Sequence, residues 1–186
     1  MKTKKVRDLM IPIDMYASVH KDATLLDAIL TIYKSQQKLS DDQQPIRSVL
    51  VVDNNKNIIG KIGHLAFLKA LEPKYNNIID FEKLTRAGVS PAFISSMTEN
   101  LRLWDDDFVD ILKRPHSIRV TDVMHPVSDC IDENAPLSKA IHHIIIMQSL
   151  SMLVTGGSKI VGILRLSDLY DEIAQNIIDE HEKNEL

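Results

Sequence analysis

The seven histidines of this chain are the residues best suited to bind a transition metal. His142 and His143 are adjacent, and adjacent side chains on a helix point about 100° apart. They therefore do not form the i, i+4 pair that a dedicated zinc motif places on one helix face. The acidic run at residues 105–107 offers carboxylates to calcium, but it lacks the alternating ligands and the glycine of a calcium loop. We predict a solvated turn or a helix cap there, and no metal site in the chain.

Cys130 is the single cysteine of the chain, so it cannot form an intrachain disulfide. No base or cation beside it in the sequence would activate its thiol, and one cysteine is too few for the usual thiolate set of a zinc site. We expect Cys130 to pack as a small apolar side chain in a protein of the reducing cytosol.

Residues 156–159, with the sequence GGSK, have the residue types of a phosphate-binding loop. They lie between two short β-type runs instead of between a strand and a helix, and that position is typical of a hairpin turn. The sequence also contains no recognisable nucleophile with an attendant base. It therefore does not predict an enzyme, and a nucleotide hydrolase is the alternative that a turnover assay would reveal.

The composition of the chain limits the partners that it is expected to bind. A net charge of -4 and an isoelectric point of about 6.0 disfavour a nucleic-acid surface, because phosphate backbones are bound by basic faces. No apolar run approaches the roughly 20 residues that cross a bilayer, and the polar residues 1–5 lack the core of a signal peptide. We expect a cytoplasmic protein with no nucleic-acid partner and no membrane insertion.

One stretch of seven residues occurs twice: VRDLMIP at residues 6–12 returns as VTDVMHP at residues 120–126. The segments that match further along the chain, in the same order, are 48–52 with 151–155 and 59–62 with 161–164. Two copies of one supersecondary unit usually bury their apolar faces against each other. The cleft between the copies is therefore the expected place for a ligand.

The same series of elements is predicted in each copy. The proline of each lead favours an extended chain, and apolar residues at helical spacing over 25–33 and 137–150 then predict a helix with one buried face. Asp22 or Thr24 is suited to cap the first of these helices. The other predicted elements are hairpins over 48–62 and around 156–159, and closing helices over 65–71 and 167–179. The fold class is α/β (α+β), with two β-α-β-β-α repeats spanning 1–72 and 119–178.

Residues 73–118 have no counterpart elsewhere in the chain and are predicted to be helical. Their apolar stripes consist of Ile78, Ile79, Phe81, Leu84, Phe93, Ile94, Met97, Leu101, Trp104, Phe108, Ile111 and Leu112. We expect this insert to pack on the repeats or at a dimer interface, and the alternative is an output element that docks a partner or shifts when ligand binds. Residues 179–186 form an acidic tail that is expected to be a solvated, frayed helix end.

The lead with Asp-x-Met-x-Pro, the helix, the hairpin that ends in apolar-Gly-apolar-apolar, and the closing helix together resemble the cystathionine-beta-synthase (CBS) domain. The resemblance covers residues 6–71 and 119–175, so the chain looks like a tandem CBS pair, or Bateman module. This resemblance implies two repeats packed about a pseudo-two-fold axis. It also implies adenine nucleotides or S-adenosylmethionine bound between the repeats, a regulatory role toward a protein effector, and a homodimer.

The nucleotide signature of that family is Gly-x-x-Thr/Ser-x-x-Asp, in which the hydroxyl meets phosphate and the carboxylate accepts from the ribose hydroxyls. In the second copy the signature begins at Gly162 and ends at Asp168. Arg165 replaces the hydroxyl residue, and its planar guanidinium is also suited to bind phosphate. Ser167 is then the candidate for the missing hydroxyl. The first copy has Ala66 in place of the carboxylate, so its cleft is predicted to be weak or empty for nucleosides.

The resemblance also implies that the first copy completes the cleft that uses Asp168. The positions that match adenine contacts are Ile13, Tyr16, Ala17 and Ile46, and those near ribose and phosphate are Arg47 and Ser48. Arg47 and Arg165 favour a phosphorylated ligand, although either side chain can instead lie in solvent or pair with a nearby acid.

The predicted function is a regulatory module that senses AMP, ADP or ATP and signals to an unidentified protein effector, with no required cofactor. The alternatives are a structural or oligomerisation module with no functional ligand, and a sensor of S-adenosylmethionine.

Overall fold

A computed structural model describes residues 4–38, 45–77, 87–99, 102–128 and 130–184. The strands are β1 Ile11–Pro12, β2 Ser18–His20, β3 Ser48–Val52, β4 Ile58–Gly63, β5 His125–Pro126, β6 Cys130–Asp132, β7 Ser151–Gly156 and β8 Lys159–Arg165. The helices are α1 Leu25–Gln36, α2 His64–Leu71, α3 Pro91–Thr98, α4 Phe108–Lys113, α5 Val120–Val123, α6 Leu137–Met147 and α7 Leu166–Asn184. Short 3₁₀ turns lie at Val6–Asp8, Ile13–Met15, Pro73–Asn77 and Arg114–His116.

The strands form two four-stranded sheets, ordered β1-β8-β7-β6 and β2-β3-β4-β5. In each sheet a parallel pair, β6 with β7 or β2 with β3, is connected through a helix. An antiparallel hairpin follows, β7 with β8 or β3 with β4. The predicted α/β fold class and its repeated order of elements are confirmed.

The chain folds into two compact units, and each unit is formed from segments that alternate along the sequence. The first unit draws on residues 1–17, 38–45 and 126–186, and the second on residues 18–37 and 46–125. These units do not coincide with the two repeats predicted at 1–72 and 119–178. The repeat boundaries describe the duplicated sequence and stay a prediction.

Each unit joins the body of one repeat to the lead of the other. In the first unit the backbone N–H of Val6 donates to the carbonyl of Ala135 at 2.9 Å, and β1 pairs with β8. In the second unit the N–H of Val120 donates to the carbonyl of Ala23 at 3.1 Å, and β5 lies beside β4. The repeated lead is therefore an exchanged element, and each copy of it completes the sheet of the other copy.

A glycine in each hairpin receives the exchanged lead at close range. A Cβ atom on Gly162 would lie 2.7 Å from the carbonyl oxygen of Ile11 and 2.7 Å from the sulfur of Met10. A Cβ atom on Gly60 would lie 2.8 Å from the carbonyl oxygen of His125 and 2.6 Å from the sulfur of Met124. The methionine of each lead and the glycine of the opposite hairpin recur in the sequence because they pack on each other.

The core of the first unit lies between its sheet and the helices α6 and α7. Its fully or nearly buried members are Val6, Ile131, Ala135, Leu137, Ala140, Ile144, Met152, Val154, Leu164 and Leu169. They show the alternation of strands and the i, i+3, i+4 spacing of helices that the sequence predicts. Tyr33 of α1 and Ile145 of α6, which helical spacing also assigned to buried faces, are exposed, as is Leu150 after α6. The prediction that these three side chains are buried is wrong for the single chain. The sheet covers only part of each predicted apolar stripe.

Thr24 caps α1, as the sequence allowed. Its side-chain oxygen accepts from the backbone N–H of Asp27 at 3.2 Å, and the carboxylate of Asp27 accepts in return from the N–H of Thr24 at 2.8 Å. This capping box satisfies two donors at the start of the helix. The backbone N–H of Thr24 is the main cause that lowers the pKa of Asp27.

The central insert is anchored to α2 by Glu72, a fully buried residue just after that helix. Its carboxylate accepts from the backbone N–H of Trp104 at 2.6 Å and from that of Lys74 at 3.1 Å. Arg114 donates to the carbonyl of Leu71 and pairs with Asp106. Trp104 has a φ of 62°, a left-handed conformation that costs a non-glycine residue about 1 kcal/mol or more. Glu72 therefore holds a strained turn of the insert in place.

The apolar stripes of the insert are less buried than predicted. Ile111 is buried, whereas Trp104 is 41% exposed and Phe108 is 71% exposed. Ile78, Ile79, Phe81, Leu84 and Leu101 lie outside the described residues. Asp107 caps α4 through a hydrogen bond from the N–H of Val109 at 2.7 Å, so the predicted helix cap in the acidic run is confirmed. The described part of the acidic tail continues α7, and its residues 179–183 are exposed.

Asp53 closes the loop of the first hairpin. Its Oδ1 atom accepts from the backbone N–H groups of Asn55 and Asn57 at 2.8 Å each, and Oδ2 accepts from the side-chain amide of Asn57 at 3.1 Å. The side-chain amide of Asn57 and then its backbone N–H lower the pKa of the Asp53 carboxyl below its ordinary value of 3.8. The ionised form is therefore the one that stabilises the folded loop.

We expect Asp53→Ala to lower the stability of the protein at pH 7 and to have little effect in strong acid. The stabilisation is complete above the unfolded-state pKa and is lost as the pH falls through the lower folded-state pKa. Urea unfolding at pH 7 and well below pH 3.8 measures the difference between wild type and variant at each pH. Asp14→Ala, at another exposed carboxylate, is the control. An Asp53→Ala effect that stays the same at both pH values contradicts this account of the loop.

Candidate functional site

The candidate site of the first unit is the elbow where β8 ends at Arg165 and α7 begins at Leu166. Ser167 and Asp168 follow in the first turn of α7, where backbone N–H groups and the helix dipole favour negative charge. This elbow brings together the three residues of the second copy that the sequence assigned to the ligand. All three are partly buried.

Arg165 and Asp168 form a two-pronged ion pair at the elbow. Nε of Arg165 donates to Oδ2 of Asp168 at 2.8 Å, and Nη2 donates to Oδ1 at 2.6 Å. The side chains are only 14% and 11% exposed. Parallel hydrogen bonds between a guanidinium and a carboxylate are among the stronger side-chain contacts, and shielding from solvent strengthens them. Of the two possibilities weighed for Arg165, the structure shows pairing with a nearby acid.

A further contact of Arg165 reaches Pro45, which precedes β3 in the first copy of the sequence. Its Nη1 atom donates to the carbonyl oxygen of Pro45 at 3.4 Å. This distance is at the long end of the range for a hydrogen bond, so the contact is weak compared with the pair to Asp168.

The lead of the first copy is attached to the same strand as the elbow. The register of β1 on β8 places Ile11 opposite Ile163 and Pro12 opposite Gly162. The 3₁₀ turn Ile13–Met15 then lies against β8. Of the three lead residues predicted to contact adenine, Tyr16 is buried, and Ile13 and Ala17 are half-buried. The first unit therefore carries six of the nine predicted ligand residues along or beside one strand.

The other three predicted ligand residues, Ile46, Arg47 and Ser48, belong to the second unit. Ile46 and Ser48 are buried and Arg47 between them is exposed, as expected where successive side chains alternate at the start of β3. The side chain of Gln36 donates to the carbonyl of Ile46 at 2.8 Å and fixes the chain there. Arg47 therefore presents a positive charge to solvent at the start of this strand.

The corresponding elbow of the second unit has no carboxylate at the position of Asp168. β4 ends at Gly63, α2 begins at His64, and the position equivalent to Asp168 is the buried Ala66. A small apolar side chain has no lone pair to offer a hydroxyl group. The replacement of Asp168 by Ala66, which the sequence showed, thus makes the elbow of the first unit charged and that of the second unit apolar at this position.

A separate groove of about 690 Å³ lies in the first unit between α6 and α7. It is lined by Lys4, Leu137, Ile141, Leu169, Glu172, Ile173, Asn176, Ile177, Glu180 and His181. Lys4 and Glu172 pair across it at 2.5 Å, and this hydrogen bond is the main cause that lowers the pKa of Glu172. None of the predicted ligand residues lines the groove. We place the candidate site at the elbow, because its buried charges can recognise a polar ligand whereas most of the groove is apolar helix surface.

Sequence reasoning missed this groove, although the signal was present. Leu169, Ile173 and Ile177 recur every four residues along α7, and Leu137 and Ile141 do the same along α6. Such spacing places each set on one helix face, so two facing apolar stripes were predictable.

Two further features, a cluster of metal ligands and a membrane-spanning helix, do not occur in the described ranges of the chain. No group of three His, Cys, Asp or Glu side chains there is arranged to hold a metal ion. No helix in those ranges is both long and apolar enough to span a bilayer.

Comparison with known proteins identifies the class of this fold. Residues 120–175 match the sequence model of the CBS domain. CBSX2, a CBS-pair protein from Arabidopsis thaliana, has 16% sequence identity and a TM-score of 0.59, over 92% of this chain and 94% of its own. A structure of CBSX2 in complex with AMP has 18% identity and a TM-score of 0.57, over 92% and 96%. A CBS domain-containing protein of unknown function from Bacillus anthracis has 16% identity and a TM-score of 0.60, over 94% and 95%.

Residues 120–175 are therefore similar to the CBS domain, and the chain has the fold of a tandem CBS pair. A search of the curated proteins by sequence gives no match.

Proposed function

We propose that this chain is a regulatory module that binds an adenine nucleotide of the AMP, ADP or ATP class at the Asp168 elbow. The observation that carries the proposal is a largely buried carboxylate, Asp168, in the first turn of a helix and next to a guanidinium. A carboxylate there is suited to accept from the two ribose hydroxyls, and the guanidinium is suited to a phosphate. A vicinal diol and a phosphate a short distance apart are the features that a ribonucleotide carries.

The predicted ligand residues of the first unit have complementary roles in this proposal. Ile13, Tyr16 and Ala17 supply apolar surface for the flat base. Ser167 supplies a hydroxyl near the phosphate. Ile46, Arg47 and Ser48 belong to the second unit, and their contact with the ligand stays a prediction. The complex of CBSX2 with AMP supports the ligand class, because CBSX2 shares the fold of this chain. S-adenosylmethionine remains the alternative adenosyl ligand.

The proposed regulatory role is that the module changes the activity of a protein effector when the nucleotide binds. The chain would report the bound nucleotide to a protein effector and act as a homodimer in the cytoplasm. The anchored insert, with exposed Phe108 next to buried Ile111, is the element that we assign to contact with the effector or the second copy. Nothing in this role requires a cofactor or a catalytic step.

We expect AMP, ADP or ATP to raise the thermal midpoint of the protein. A ligand that binds only the folded state stabilises it by about 2.7 kcal/mol when its concentration is 100 times its Kd. Differential scanning fluorimetry with each nucleotide and with S-adenosylmethionine measures the shift, and guanosine monophosphate is the control for the base. The absence of a shift with every adenine nucleotide, at concentrations up to several millimolar, would sink the proposal.

The second candidate function is a structural or oligomerisation module without a ligand. The Arg165 and Asp168 pair favours it, because each charge already has a partner in the ligand-free protein. In that case nucleotides leave the thermal midpoint unchanged, and substitution of either residue alters stability alone. A turnover assay with the same nucleotides tests the remaining possibility of a nucleotide hydrolase.

A further inference from the structure

We propose that the exposed apolar face of α4 docks a basic, apolar segment of the protein effector. This docking face consists of Phe108, Val109 and Leu112, in the insert that separates the two repeats. The inference rests on the regulatory role in the proposed function and adds the chemistry of the partner. It also assigns the insert to the effector instead of to a second copy of this chain.

The three side chains of the docking face are neighbours on the helix surface. Leu112 is four residues after Phe108 and three after Val109, and both spacings bring side chains together on a helix. Phe108, Val109 and Leu112 are 71%, 58% and 56% exposed. Ile111, about 60° from Phe108 around the helix axis, is buried. α4 therefore packs on its own unit through one edge of its apolar stripe and leaves the rest of the stripe in solvent.

The docking face is preformed, because both ends of α4 are fixed. Asp107 caps the start of the helix, where its carboxylate accepts from the backbone N–H of Val109 at 2.7 Å. Just after the helix, Arg114 donates to the carbonyl of Leu71, at the end of α2, and pairs with Asp106. A partner therefore does not have to order this helix when it binds, and such ordering would weaken the affinity.

Exposed carboxylates lie at the start of α4 and within it. Residues 105–113 carry one basic residue, Lys113, and four acids, Asp105, Asp106, Asp107 and Asp110. Lys113 and Asp110 approach to 2.9 Å, but both side chains are 68% exposed, so this pair is weak in water. With Arg114 included, four negative and two positive charges leave a net charge of -2 on the segment. An apolar face with such a rim is complementary to an apolar segment that carries lysine or arginine.

The charge also disfavours a second copy of this chain on the same face. Most homodimers are two-fold symmetric, so the docking face of one copy would meet the docking face of the other. The same carboxylates would then be brought together, and like charges across an interface oppose binding. A positively charged segment of an effector avoids this repulsion and still buries the apolar side chains.

Two designed amphipathic peptides, one of leucine and lysine and the other of leucine and glutamate, test the proposal. Fluorescence anisotropy of the labelled peptides measures their binding to the full chain. We expect the protein to bind the lysine peptide at least about tenfold more tightly than the glutamate peptide, because opposite charges attract and like charges repel. Added salt should reduce this difference, since salt screens exposed charges.

Phe108→Ser should weaken binding of the lysine peptide by about tenfold or more, because large aromatic side chains contribute most of the affinity at such contacts. Asp110→Asn should weaken it by a smaller factor, because it removes one exposed charge and keeps the apolar face. Phe93→Ser is the matched control. Phe93 is 58% exposed on α3, another helix of the insert, and α3 contains no Asp or Glu. Its substitution should leave the affinity unchanged.

The proposal is overturned if wild type does not distinguish the two peptides, or if Phe108→Ser has no larger effect than Phe93→Ser. It is also overturned if Phe108→Ser sediments as a smaller species than wild type, because a second copy then occupies the face. Titration of AMP, ADP and ATP into the same proteins is independent of the peptides. Failure to bind any of them overturns the proposed nucleotide function, whereas the peptide result alone decides the docking face.

Discussion

Replacing Asp168 with alanine is expected to weaken AMP binding by about 100-fold or more, because two hydrogen bonds from ribose hydroxyls to a charged acceptor are lost. The same change removes the ion pair of the largely buried Arg165 with Asp168, so the ligand-free protein is also expected to lose about 1–3 kcal/mol of stability. The quantity to compare is therefore the stabilisation that AMP adds to each protein, and not the thermal midpoint alone.

Asp168→Asn separates the two effects, because it keeps the shape of the side chain and removes its charge. Asp171→Ala changes an exposed carboxylate on the same helix and should leave AMP binding unchanged. Calorimetric titration of AMP into all three variants gives the affinities directly. An Asp168→Ala protein that binds AMP as tightly as wild type would falsify the assignment of the ribose to this carboxylate.

Gly162→Ala and Gly60→Ala are each expected to lower the free energy of unfolding by about 1–3 kcal/mol through overpacking. The added Cβ would lie 2.7 Å from the carbonyl oxygen of Ile11 in one case and 2.8 Å from that of His125 in the other. A carbonyl of a paired strand cannot move aside as the end of a flexible side chain can. The lead would therefore have to shift away from the hairpin.

Gly63→Ala provides the control within the same hairpin as Gly60. Its nearest neighbours would be the carbonyl oxygen of Arg47 and the Cβ of Ser48, both at 3.9 Å, which is ordinary van der Waals contact. Urea unfolding of the three variants measures the differences. Equal stability of Gly63→Ala and the other two would show that the exchanged leads do not pack on these glycines.

The order of elements was predictable from the sequence pattern, whereas the exchange of the leads followed only from the family resemblance, which placed Ile13, Tyr16 and Ala17 in the cleft of Asp168. Apolar spacing and the turn residues identified the helices and hairpins, because local patterns specify local structure. A repeated lead such as VRDLMIP gives no indication of which copy it completes, since both copies present the same glycine and the same strand edge. The buried faces of α1 and α6 were overestimated at Tyr33 and Ile145 for a related reason, because periodicity identifies an apolar stripe and not what covers it.

The residue types of the candidate site were predictable, whereas their pairing was not. The signature identified Asp168 and the unusual Arg165, three residues earlier. A spacing of three on a continuous helix would have suggested an ion pair at once. Arg165 is instead the last residue of β8, so the contact depends on the angle at which the strand enters the helix. That angle is a tertiary feature, so the sequence allowed Arg165 to pair with a nearby acid but did not identify Asp168 as that acid.

The exposed apolar residues of the insert have a similar explanation. Helical spacing predicted a stripe that includes Phe108, Ile111 and Leu112, and the structure buries only Ile111 of these three. The sequence could not show how much of the stripe the second unit would cover. Glu72, which anchors the insert to α2, lies outside any apolar pattern and was not identified from the sequence.

A crystal structure of the protein grown with millimolar AMP tests the central claim most directly. The account predicts a nucleotide whose two ribose hydroxyls contact Asp168 and whose phosphate contacts Arg165, with the ion pair between these side chains broken. An unchanged pair, with Nε and Nη2 of Arg165 still on the carboxylate of Asp168 and no nucleotide at the elbow, would contradict it.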